Sequence, residues 1–90
     1  MSDGSPWRVV ITPRAEKELK RLPPSDQARV RVALDRLSAG PTRGDVRKLQ
    51  GKSNEWRVRV GEWRVRFGLD TRAHTIVVLR VVPRGRAYRD

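Results

Sequence analysis

Glu55-Trp56-Arg57-Val58-Arg59-Val60-Gly61-Glu62-Trp63-Arg64-Val65-Arg66-Phe67-Gly68-Leu69 is the stretch in which the fold becomes readable. Trp56, Val58 and Val60 alternate with Arg57 and Arg59, and beyond Gly61-Glu62 the alternation resumes as Trp63, Val65, Phe67 and Leu69 against Arg64 and Arg66. A period of two marks a half-buried strand, and two such runs parted by two residues, one of them glycine, form a hairpin. A two-residue loop sets Val60 opposite Trp63, Arg59 opposite Arg64, Val58 opposite Val65, Arg57 opposite Arg66 and Trp56 opposite Phe67. One face is then wholly apolar and suited to being covered, while the other carries four guanidinium groups as directly opposed pairs. Like charges so placed destabilise a sheet by amounts comparable with the ~0.2–1 kcal/mol that a favourable cross-strand pair contributes. A polyanion lying across that face reverses the balance, because guanidinium forks bind phosphates bidentately and stack on bases.

Downstream, Thr75 to Val82 is almost continuously apolar and reads as an interior strand. With Val77, Leu79 and Val81 turned toward the helices, Arg80 joins the arginine face. Upstream, residues 42–55 form a turn-rich loop with a short strand at Arg47 to Leu49. Two helices precede it. Thr12 is a good N-cap with Pro13 at the first helical position, and Ala15, Leu19 and Leu22 fall on one stripe before Pro23-Pro24 ends the helix. Ser25-Asp26 caps the next helix, whose apolar face is Val30, Ala33, Leu34 and Leu37 and whose stop is Ala39-Gly40-Pro41. Trp7 to Ile11 is a short β-branched strand at the start. The predicted fold is α+β, ordered β-α-α-β-β-β: an antiparallel sheet of the three C-terminal strands with the N-terminal strand added, and two N-terminal helices packed on one face. Residues 1–6 read as a loose tail and 7–90 as a single domain, as expected for ninety residues.

Composition narrows the chemistry. The chain carries 21 basic and 10 acidic residues, a net charge of +11, and 17 of the basic residues are arginine. The excess is concentrated: residues 1–42 hold eight basic and five acidic groups, residues 43–90 thirteen and five. A polyanion is the natural partner. With no cysteine there is no disulfide, thiolate site or Cys nucleophile. Glu55, Glu62 and Asp70 are too scattered for a metal site, and there is no glycine-rich phosphate loop, so metalloenzyme and nucleotide-hydrolase readings fail. His74, the single histidine, sits in a turn without a catalytic partner and reads as a surface residue; Trp7, Trp56 and Trp63 stand at core phase and read as packing residues. No apolar run spans a membrane and no secretory pattern opens the chain, so a cytoplasmic location without membrane contact is expected.

Three blocks carry a family resemblance: Val9-Val10-Ile11-Thr12-Pro13-Arg14-Ala15-Glu16-Lys17-Glu18-Leu19 with Leu22-Pro23; Lys48-Leu49-Gln50-Gly51 leading to Trp56 through Val65; and Val81-Val82-Pro83-Arg84-Gly85-Arg86-Ala87-Tyr88-Arg89. Together and in this order they resemble the RelE/ParE superfamily of bacterial toxins from type II toxin–antitoxin modules. The resemblance implies a RelE-like fold and, for its RelE branch, a ribosome-dependent endoribonuclease that cleaves mRNA by attack of a ribose 2′-hydroxyl on the adjacent phosphate, with no metal or cofactor. Carried over by motif, Arg64, Arg84 and Tyr88 are the catalytic candidates. The motif supplies Arg57 and Arg59 as RNA-binding residues, and the charge pattern adds Arg66, Arg80, Arg86, Lys48 and Lys52. Many relatives have His where Pro83 stands and Lys where Arg57 and Arg59 stand; arginine is a poor general base, so Tyr88 is the candidate for proton transfer. Expected partners are the ribosome, mRNA and a cognate antitoxin with an acidic or amphipathic segment. Two other functions fit the same charge: a ParE-like toxin acting on DNA gyrase, and a basic nucleic-acid-binding module without chemistry.

Overall fold

The computed structural model describes residues 6–41, 46–51 and 53–84. Its elements are β1 (Arg8–Ile11), α1 (Pro13–Lys20), α2 (Pro24–Ala39), β2 (Val46–Lys48), β3 (Trp56–Val60), β4 (Trp63–Asp70) and β5 (Thr75–Pro83). They form one five-stranded sheet in the order β1-β5-β4-β3-β2 with the two helices against one face. The fold is α+β, as the alternating and helical stripes imply. Most of the predicted loose tail, residues 1–5, lies outside the described residues.

The hairpin of β3 and β4 has the register that its sequence dictates, from Val60 opposite Trp63 to Trp56 opposite Phe67. Gly61 takes a φ of +57° at the first loop position while Glu62 stays at negative φ, the sign pattern of a type II′ turn. Val58, Val60, Val65 and Phe67 project into the core, where they meet Ala15, Leu19 and Leu22 from the α1 segment and Val30, Leu34 and Leu37 from α2. Thr12 caps α1 through its hydroxyl, which accepts the Ala15 N–H at 3.2 Å. All three tryptophans are partly buried against this core.

Five features differ from the sequence expectations. The sheet is mixed, because β1 runs parallel to β5, Arg8 opposite Thr75 and Ile11 opposite Val78; alternation reports which face is buried but not the direction of a pairing between the chain's two ends. The short strand near Arg47 is β2, paired antiparallel to β3 as an edge strand. Helix α2 starts at Pro24, with Pro23 at the N-cap position and no side-chain cap, so Ser25-Asp26 lie inside its first turn. Pro24 suits that first position because it has no N–H to satisfy and its φ is preset. Asp26 instead accepts the Trp63 indole N–H at 3.0 Å, tying α2 to the start of β4. Finally, β5 changes phase: the register steps from Phe67 opposite Val78 to Arg66 opposite Arg80, leaving Leu79 as an extra residue. The buried core side of β5 is therefore Ile76, Val78 and Val81 rather than Val77, Leu79 and Val81. His74 is also more than a surface residue, since its ring stacks on Trp7 with centroids 4.2 Å apart and its carbonyl accepts the Arg8 N–H.

Strand β1 ends at Ile11, and beyond that point the outer edge of β5 is closed by Glu18 of α1. Its carboxylate accepts the Val81 N–H at 2.8 Å and the Arg80 Nε–H at 3.0 Å. Glu18→Ala should lower the unfolding free energy by about 2 kcal/mol, because an edge amide and a guanidinium lose their acceptor. Glu18→Gln, which keeps an acceptor, should lose less. Chemical denaturation of the two variants checks this, and equal losses would show that only the charge matters.

Candidate functional site

Registers across four strands place arginines in a row over the sheet. Arg47 of β2 stands opposite Arg57 of β3, Arg57 opposite Arg66 of β4, and Arg66 opposite Arg80 of β5. Two residues along, Arg59 stands opposite Arg64, which in turn faces Val82. Such a concentration of like charge on adjacent strands opposes folding, and the structure relieves it at chosen places. Arg66 is buried in an ion pair with Glu55, and Arg80 is held by Glu18 at the sheet edge. Glu55 reaches Arg66 because it precedes β3 at the phase of Arg57 and Arg59. The segment before it is pinned to β4 by Asn54, whose amide accepts the Leu69 N–H at 3.1 Å and donates to the Leu69 carbonyl at 2.9 Å. Gly68 permits that approach, since a Cβ there would come within 3.2 Å of the Asn54 carbonyl oxygen.

The rest of the face converges. Arg47, Arg57, Arg59 and Arg64 line one pocket of about 130 Å³, and among the described residues its lining is arginine alone. Exposure is graded across it: Arg47 and Arg59 are open to solvent, Arg57 is half-buried, and Arg64 is only 5% exposed. Arg64 follows Trp63, whose indole is fixed by Asp26, so α2 helps to hold the strand that carries it. Arg84 lies two residues beyond Val82, the cross-strand neighbour of Arg64, and its backbone N–H donates to the Glu62 carbonyl at 2.7 Å. Its side chain is exposed at the hairpin end of the same sheet.

The sequence-derived residues therefore separate into groups. Arg57, Arg59 and Arg64 come together in the pocket and Arg84 stands at its hairpin end, whereas Arg66 and Arg80 are engaged by carboxylates. Lys48 is one residue out of phase with Arg47, and its ammonium lies 5.7 Å over the Trp56 ring. Lys52, Arg86 and Tyr88 fall outside the described residues. Two contributors were not predicted. Arg47 required the register of β2, and Glu55 could have been found from its phase, which already places it on the arginine face diagonal to Arg66.

A mostly antiparallel sheet backed by an N-terminal helical pair, with a basic pocket on its other face, defines a small basic α+β domain built to meet a polyanion. Residues 9–88 match the family described as ParE toxin of type II toxin–antitoxin system, parDE. The chain is 32% identical to a chain of the archaeal RelE–RelB complex from Pyrococcus horikoshii OT3, covering 89% of this chain and 97% of that one with a TM-score of 0.78. It is also 32% identical to a chain of the toxin–antitoxin complex RelBE2 from Mycobacterium tuberculosis, covering 88% and 99% with a TM-score of 0.78. The isolated E. coli RelE toxin shares the fold, with a TM-score of 0.78 over 92% of each chain at 17% identity. The chain belongs to the RelE/ParE superfamily of toxins from type II toxin–antitoxin systems, on the RelE side of its structural relatives.

The two kinds of arginine should behave oppositely in stability measurements. Glu55→Ala strands the buried Arg66 charge and should lower the unfolding free energy by about 3 kcal/mol, as when one partner of a buried ion pair is removed. Arg59→Ala relieves opposition to Arg64 and should leave stability unchanged or slightly higher. A loss from Arg59→Ala as large as that from Glu55→Ala would mean that the open arginines hold the sheet together.

Proposed function

We propose that this chain is a RelE-type endoribonuclease that cleaves mRNA on the ribosome and so stops translation. The observation that carries this is convergence: Arg47, Arg57, Arg59 and Arg64, from three adjacent strands, line one pocket whose described lining is arginine alone. A nucleic-acid backbone is the polyanion that such a cluster of guanidinium groups attracts.

The bonds made and broken at phosphorus all lie within the RNA. The 2′-oxygen attacks the adjacent phosphorus, the bond from phosphorus to the 5′-oxygen breaks, and the products are a 2′,3′-cyclic phosphate and a free 5′-hydroxyl; DNA lacks the nucleophile. Arg57 and Arg59 hold the backbone. Arg64, buried and so fixed in position, and Arg84 at the hairpin end would stabilise the extra negative charge of the pentacovalent phosphorane, the role of preorganised cations in other group transfers. Tyr88 is the group proposed to move the proton from the 2′-hydroxyl or to the leaving oxygen, since guanidinium groups cannot act as the base. Relatives are found with RelB, and a cognate antitoxin presenting an acidic or amphipathic segment fits this +11 chain in the same way: it would compete with RNA for the arginine face.

Purified protein added to cell-free translation, followed by primer extension on the mRNA, should give cuts spaced by codons that vanish when ribosomes are omitted. Arg84→Ala should slow single-turnover cleavage by roughly 100-fold with little change in binding. Tyr88→Phe, which deletes only the hydroxyl, should slow it by at least roughly 100-fold. Continued translation with loss of DNA supercoiling would support the ParE-like alternative, and wild-type cleavage by Tyr88→Phe would remove the tyrosine from the chemistry.

A further inference from the structure

Arg47 lies outside the three sequence blocks that carry the family resemblance, yet its register opposite Arg57 brings it into the pocket with Arg59 and Arg64. The four arginines form two rows, Arg47 with Arg57 and Arg59 with Arg64. The rows are two residues apart along β3, which at the rise of a strand is ~7 Å. That is close to the separation of successive phosphates on an extended single strand and far more than the span of oxygens on one phosphate. The neutralised Arg66 and Arg80 remove the β4 and β5 half of the first row, so the attractive path runs from Arg47 and Arg57 to Arg59 and Arg64 and on toward Arg84.

We infer that Arg47 and Arg57 form a subsite for the phosphate immediately next to the one held by Arg59 and Arg64, so that two successive phosphates of one strand are bound together. This deepens the proposed function and rests on it for the identity of the strand as RNA. Contacts of this kind, guanidinium to phosphate, read backbone and not sequence.

The test pairs side-chain deletion with deletion of one phosphate charge. Short single-stranded RNAs carry a single uncharged methylphosphonate linkage, walked along the strand, and equilibrium binding is measured for the wild type, Arg47→Ala, Arg47→Lys and Arg59→Ala. On unmodified RNA, Arg47→Ala should weaken binding roughly 10-fold and make the salt slope shallower by about one ion, with Arg47→Lys recovering part of the loss. The effect of Arg59→Ala should disappear at one neutral linkage, and that of Arg47→Ala at its immediate neighbour, the signature of direct pairing. If both variants lose their effect at the same linkage, or Arg47→Ala is insensitive to all of them, the subsite is wrong. Adjacent couplings in a protein that fails to cut ribosome-bound mRNA would sustain the subsite and sink the nuclease.

Discussion

The two-residue turn at Gly61-Glu62 leaves β3 and β4 one register, and both faces of the sheet follow from it. Because side chains alternate strictly, the register that puts Val58, Val65 and Phe67 together in the core also sets Arg57 against Arg66 and Arg59 against Arg64. Slipping by one residue would bury arginines and expose valines, so the charge repulsion cannot be escaped by sliding. The apolar face fixes the arginine face, and the core supplies the free energy that holds like charges together.

Relief of that repulsion is uneven. Glu55 and Glu18 take up Arg66 and Arg80, at the centre of β4 and at the outer edge of β5, where an unpaired guanidinium would be buried or would leave an edge amide unsatisfied. Near β2 and the hairpin turn, the four-arginine pocket has no acid in its described lining. The sheet therefore has a direction: its arginines are paired with carboxylates toward β5 and converge on one another toward β2 and β3. The helices serve the same end from the other face, since Asp26 of α2 fixes Trp63 beside Arg64 and Glu18 of α1 holds the edge from which the chain continues to Arg84.

Much of this was legible from residues alone, for reasons that are physical. The hairpin register, the apolar stripes of both helices and the Thr12 cap depend on local spacing, and local spacing is what a sequence displays. Strand β1 could be located but not oriented, because its partner β5 lies more than sixty residues away and alternation has no sign. The phase change at Leu79 was hidden because Thr75 to Val82 is apolar at nearly every position, so a bulge leaves no mark on the pattern. Arg47 was missed for a related reason: a three-residue edge strand has too few residues to display a period. Glu55 is legible too: too far from other acids to form a metal site, it stands at the phase that assigns it to the arginine face.

The most direct measurement of the claim that the pocket is kept at the expense of stability is the unfolding of the wild type and of an Arg47→Ala, Arg59→Ala double variant, each in phosphate and in chloride at matched ionic strength. Phosphate strengthens burial in any protein, and that general effect is common to both chains. Binding to the folded pocket is not, and it adds stability only where the arginines remain. The account predicts that the double variant is at least as stable as the wild type in chloride and that the order reverses in phosphate. The same order in both salts would contradict it.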